Sequence, residues 1–124
     1  MSKNSDLVRT AVDKLFNQRD VSALQEYWAD DYRQHNPTLP DGTSHMAAMI
    51  TSLPENFSYE FGAMVSEGDL VMVHGRVIGF APTPMIVVDI FRLRDGKIAE
   101  HWDVLQEEVP AAKTASGRPM FPAA

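Results

Sequence analysis

The chain has 124 residues, 44% of them hydrophobic, which is enough for one core and too few for two domains. Eleven basic against seventeen acidic residues give a net charge of -6, and no run of Lys and Arg forms a stripe along a phosphate backbone, so no nucleic acid partner is expected. There is no cysteine, which removes disulfides and thiolate chemistry, and no signal-peptide pattern or apolar run near the roughly 18 to 20 residues of a bilayer span, so a cytoplasmic protein without membrane contact is expected.

Leu7, Val8, Ala11, Val12, Leu15 and Phe16 recur at helical spacing and predict a helix from about Ser5 to Asn17, with Ser5 as its cap. Asp20 precedes Val21, Leu24, Tyr27 and Trp28, which predict a second short helix ending near Asp30 and Asp31. Asn36-Pro37, Leu39-Pro40 and Asp41-Gly42 mark Tyr32 to Gly42 as a structured loop. Thr43 or Ser44 can cap a third helix, Met46 to Leu53, which Pro54 stops.

The period then changes from helical to alternating. Phe57, Tyr59, Phe61, Ala63 and Val65 alternate with Ser58, Glu60, Gly62, Met64 and Ser66 and predict a half-buried strand. Glu67-Gly68-Asp69 turns the chain into a second strand, Leu70 to Phe80, which Pro82 and Pro84 break. Met85 to Leu93 and Ile98 to Gln106 are the next two, joined through Arg94-Asp95-Gly96-Lys97. Helices followed by a meander of four strands is an α+β order, with the helices packed on one face of a sheet. Residues 111–124 read as an irregular tail of the same domain, 1–124, with Met120 and Phe121 placed to dock back.

At the last hairpin the run Val88-Asp89-Ile90-Phe91-Arg92-Leu93-Arg94-Asp95-Gly96-Lys97-Ile98-Ala99-Glu100-His101-Trp102-Asp103 resembles the SnoaL-like polyketide cyclases of the nuclear transport factor two-like superfamily, and the loop Tyr32-Arg33-Gln34-His35-Asn36-Pro37 is similar to the motif after their second helix. That superfamily also holds ketosteroid isomerases and limonene epoxide hydrolases. The resemblance covers nearly the whole chain up to about Pro110. It implies a cone-shaped, curved antiparallel or mixed sheet with three N-terminal helices on its concave face and one small-molecule pocket. It also implies that Asp103 is the acid/base aspartate and Asn36 a substrate-contacting asparagine. Asp89 stands where the cyclases have a histidine and where ketosteroid isomerases have an aspartic acid that donates to the substrate oxygen. The isomerase base would fall on Asn36, which cannot take a proton, so steroid isomerisation by that route is not expected.

Aldol-type ring closure, dehydration and isomerisation all begin with a proton removed beside a carbonyl while charge is stabilised on its oxygen, work that a carboxylate and neighbouring donors can do in a dry pocket. Asp103, Asp89 and His101 are the candidates for this, and their faces depend on the hairpin register. A two-residue loop at Asp95-Gly96 sets Asp89 opposite Trp102, whereas a three-residue loop sets Leu93 opposite Lys97 and Asp89 opposite His101. Asp-Gly permits either; the resemblance favours the second, with Asp103 on the same enclosed face and Arg92, Glu100 and Trp102 on the other. If Phe80 faces Met85, then Arg76 faces Asp89 and His74 shares its side. The trio Asp89, Arg76 and Asp103 also looks like the Asp-Arg-Asp group of limonene epoxide hydrolases.

The site expected from sequence is therefore Asp103, Asp89 and His101 as the catalytic group, with His35, Asn36, His74, Arg76, Trp28 and Tyr32 as substrate contacts. Its structural counterpart is a buried polar network that performs no reaction. None of the four histidines has the short helical spacing of a zinc motif, so neither metal nor cofactor is expected. The activity expected is cofactor-independent acid/base catalysis on a small, apolar carbonyl compound; a ligand-binding or dimerisation module and an epoxide hydrolase are the alternatives. Apolar residues on both faces of Ile86 to Phe91 predict a homodimer that covers the convex face.

Overall fold

The computed structural model of the chain describes residues 2–123. Helix α1 (Lys3–Val12) begins earlier than expected, because Ser2 rather than Ser5 is its cap: the Ser2 hydroxyl accepts the Ser5 N–H at 3.0 Å, and Ser5 is buried inside the first turn. Val8, Ala11 and Val12 form the buried stripe, and the helix widens into a π turn over Asp13–Asn17 that carries Leu15 into the core. Asn17, at the end of that turn, accepts the Tyr59 N–H at 2.8 Å and donates to the Tyr59 C=O at 3.0 Å. This side-chain clamp ties the helical layer to the sheet beside a tyrosine of the cavity.

Helix α2 (Ser22–Tyr27) stops earlier than predicted, and Trp28 opens a strand, β1 (Trp28–Gln34), where the sequence reads as a helix end and a loop. Helix α3 (Met46–Thr51) starts where expected but ends two residues early, and His45 precedes it with no side-chain cap from Thr43 or Ser44. Strands β2 (Ser58–Glu67), β3 (Leu70–Ile78), β4 (Met85–Arg94) and β5 (Lys97–Glu107) form the predicted antiparallel meander. β1 adds a fifth strand parallel to β5, giving a curved, open sheet in the order β1-β5-β4-β3-β2. The sheet is mixed, and the helices pack on one side of it. Leu15, Ile50, Ile98, Val8 and Val71 are among the fully buried side chains where the two layers meet. Truncating Leu15 to Ala there would cost about 2–5 kcal/mol.

The β4–β5 hairpin corrects the expected register in an instructive way. Arg94 faces Lys97 across a two-residue Asp95-Gly96 turn with both residues at positive φ, 53° and 74°, so the three-residue loop is not formed. Asp89 faces Asp103, and His101 faces Phe91 rather than Asp89. Between Leu93 opposite Ile98 and Arg92 opposite Glu100, Ala99 is left over as a β-bulge. That extra residue slips the register by one and reverses the faces again. Asp89, His101 and Asp103 therefore share the enclosed face, as expected, by a different route.

The β3–β4 pairing is corrected without such compensation. Phe80 lies beyond the end of β3, and Val77 faces Met85, so the pairing is offset by three from the expected one. An odd offset exchanges faces. Val73 stands opposite Asp89, Arg76 stands opposite Ile86, and Arg76 and His74 project from the outer face. The tail docks back, as predicted: the Phe121 ring lies 5.2 Å from the His74 ring, and the Val109 N–H donates to the Met120 sulfur at 3.2 Å. Gly62 makes room for it, since a Cβ there would fall 2.7 Å from the Phe121 ring. Among the described residues, no helix is long and apolar enough to cross a membrane.

Candidate active site

Between the sheet and the helices lies a cavity of about 100 Å³, walled mainly by apolar side chains including Val12, Phe16, Met46, Met49, Val87, Phe91 and Leu105. A cavity of this order takes several waters, or the reacting end of a larger compound that extends past Phe80 at its open side. Into it the fold brings Asp89, His101, Asp103, Asn36, Trp28 and Tyr32, six of the nine residues expected at the site. Phe80, 47% exposed, is the most open part of the wall.

The protons of one half of this group can be placed by following the hydrogen bonds. Gln34 Oε1 accepts the backbone N–H of Asn36 at 3.0 Å, which orients the Gln34 amide. The same oxygen lies 2.7 Å from His101 Nδ1, so that nitrogen must be the donor. His101 Nε2 lies 2.7 Å from Asp89 Oδ1, and one proton is shared in that contact. Asp89 Oδ2 accepts the Tyr59 hydroxyl at 2.5 Å, so both oxygens of this buried carboxyl group are engaged. Tyr59 reaches Asp89 over Gly75, where a Cβ would come within 2.8 Å of the phenol oxygen. Burial, reinforced by the negative charge of Asp89, holds the Tyr59 hydroxyl well above its ordinary pKa.

Asp103 is held differently. Asn36 Nδ2 lies 2.9 Å from each of its carboxylate oxygens, while Asn36 Oδ1 accepts both the N–H and the hydroxyl of Thr38 at 2.9 and 2.8 Å. The Thr38 N–H fixes which way the asparagine amide points, so its donor side must face Asp103. His101 Nε2 stands 3.9 Å from Asp103 Oδ2, beyond hydrogen-bond reach but close enough for charge to be felt. Tyr32, 3% exposed, accepts from Gln34 Nε2 at 3.1 Å and keeps its own hydrogen to give, because burial raises its pKa as well.

Three expected contacts lie elsewhere. His35 stacks on Trp102 at 4.5 Å between ring centroids and bonds Glu100 at 2.6 Å, a contact that lowers the Glu100 pKa. Arg76 pairs with Glu108 at 2.8 Å and Glu60 at 3.2 Å, so it cannot complete an Asp-Arg-Asp group with Asp89. His74 packs under the tail. Conversely, Tyr59, Gln34 and His45 reach the cavity and were not expected there. The alternation Tyr59-Phe61 marks a strand face, which was the one available signal for Tyr59; Gln34 and His45 come from segments without periodicity. Asp89, His101 and Asp103 each present one atom within 4.8 Å of the others, a donor set that a divalent cation could take. Their engagement with Tyr59, Gln34 and Asn36 organises them around protons.

The SnoaL-like domain family matches residues 8–101 of this sequence. The chain belongs to the SnoaL-like domain family. Solved structures with this fold include TsrD from Streptomyces laurentii, 24% identical over 86% of this chain and 91% of that one, with a TM-score of 0.68. IdmH from Streptomyces antibioticus, described as a candidate polyketide cyclase, is 22% identical over 85% of this chain and 93% of its own, with a TM-score of 0.65. A candidate ketosteroid isomerase from Kribbella flavida is 17% identical over 97% and 90%, with a TM-score of 0.72. No curated protein matches the sequence. At these identities the neighbours establish the SnoaL-like fold, and the chemistry must be argued from the site.

Proposed function

We propose that this SnoaL-like protein is a cofactor-independent enzyme that removes a proton beside the carbonyl of a small, largely apolar compound, with Asp103 as the base. The observation that carries this reading is a carboxylate on the wall of an apolar cavity, oriented by Asn36 through both oxygens. The substrate C–H proton passes to Asp103, and the negative charge that develops on the carbonyl oxygen is stabilised by a hydrogen bond donated by the Tyr32 hydroxyl. The enolate then takes a proton at another carbon, expels a β-hydroxyl, or attacks a second carbonyl; these are isomerisation, dehydration and aldol closure. His101, held by Asp89 and 3.9 Å from Asp103, tunes the charge of Asp103, while Asn36 sets its orientation. The neighbours described as candidate cyclase and candidate isomerase support a reaction of this kind.

The test is hydrogen–deuterium exchange at the α-carbon of 2-tetralone, a two-ring ketone that enolises readily, followed by NMR in D2O. The protein should accelerate exchange above the buffer rate. Binding without acceleration would assign the cavity to a ligand-binding module instead.

The outer face of the sheet supports the dimer expected from sequence. Val65, Met72, Ile90 and Trp102 follow one another across four strands, and Val88 faces Val104 in an adjacent row. Val65 and Val104 are 61% and 68% exposed, leaving a patch that a second copy of the chain would cover.

A further inference from the structure

Among the described residues, the buried side-chain polar atoms with no hydrogen-bond partner are Trp28 Nε1 and the two ring nitrogens of His45. Both residues line the cavity. Buried polar groups are nearly always satisfied, and here the acid/base cluster beside them is satisfied throughout. His45 sits immediately before α3, with Met46 and Met49 as its neighbours in the wall. The Trp28 N–H has the Tyr32 hydroxyl beside it as an acceptor, so the two His45 ring nitrogens are the atoms left with nothing to satisfy them.

An imidazole of either tautomer presents one N–H and one lone pair. A ketone oxygen can only accept, so it leaves the lone pair empty; a hydroxyl can donate to it. We propose that His45 is a specificity-determining residue that reads a hydroxyl of the ligand, so that the compound taken into the cavity is a hydroxylated carbonyl compound rather than a plain ketone. This rests on the cavity being a ligand site, but not on Asp103 acting as a base.

The experiment compares equilibrium binding of 2-tetralone, 6-hydroxy-2-tetralone and 7-hydroxy-2-tetralone by the wild type, His45→Phe and Asp103→Asn, using calorimetry. The wild type should bind at least one hydroxylated isomer about tenfold more tightly than the parent, because leaving a buried polar group unpaired penalises the analogue that lacks its partner. His45→Phe should bring the three ligands to within about twofold of one another, the parent binding as tightly as to the wild type or more so, since its penalty is removed. Asp103→Asn should keep the preference, which separates this inference from the assignment of the base. Equal affinities in the wild type, a preference that survives His45→Phe, or no binding of any of the three would overturn the proposal. A second measurement is independent of how the variant folds: in the wild type, the hydroxylated ligand should move the His45 ring 15N signals and the parent should not, and unmoved signals would likewise overturn it.

Discussion

Asn36 grips Asp103 across 67 residues of sequence, its amide nitrogen lying 2.9 Å from both carboxylate oxygens. Asn36 is itself held by Thr38, so the loop after β1 reaches across to aim a side chain of β5. Replacing Asn36 with Ala should lower kcat roughly 10- to 100-fold and change KM by no more than a few-fold, the mark of a residue that positions a base without binding the ground state. A pure KM effect in steady-state kinetics would contradict that role.

The His101–Gln34 contact makes a prediction about a single proton. With Gln34 Oε1 fixed as an acceptor, His101 Nδ1 must be protonated, and 15N NMR should show an Nδ1–H in slow exchange. Gln34→Leu should broaden or abolish that signal while the fold persists. An unprotonated Nδ1 in the wild type would reverse the tautomer assignment.

Much of this arrangement was legible in the sequence, and the misses have physical causes. Alternation marks β2 to β5 because each buries one face; β1 reads Trp-Ala-Asp-Asp-Tyr-Arg-Gln, with adjacent acids and no alternation, and draws its pairing from β5, far along the chain. Trp28 and Tyr32 are also four apart, which imitates a helical stripe. The β4–β5 turn was misread because Ala99 is an extra residue, and the adjacent buried pair Ile98-Ala99 was its sign. Arg76 and His74 were misplaced by assuming that pairing reaches Phe80, which lies outside β3 and lines the cavity mouth. Tyr59 stands between Ser58 and Glu60 in an ordinary alternating strand, and nothing local announces its bond to Asp89, 30 residues away.

Alkaline pH should weaken the fold through Tyr59 and Tyr32. Both have folded pKa values raised above the ordinary 10.0, so the unfolded chain begins to lose phenolic protons near that pH while the folded chain keeps them. The stabilisation is complete below about pH 10 and is lost as pH rises through the folded values. Urea denaturation between pH 8 and 11.5 should show declining stability above about pH 10, with a shallower decline in Tyr59→Phe. A decline equally steep in that variant would remove Tyr59 from the account.

Sedimentation equilibrium at micromolar concentration should give a dimer, and Val104→Glu together with Val88→Glu should give a folded monomer, because charges set opposite each other in the patch oppose its burial. A wild-type monomer, or a dimer untouched by both substitutions, would remove the outer face from the interface.

The central claim is that Asp103 takes the proton. Its most direct test is the rate of α-hydrogen exchange of 2-tetralone in D2O, measured by NMR for the wild type and Asp103→Asn alongside ligand affinity. The account predicts that the variant keeps its affinity within a few-fold and loses about 100-fold or more of the protein-catalysed rate, since asparagine preserves the shape and removes the base. Exchange as fast in Asp103→Asn as in the wild type would contradict it.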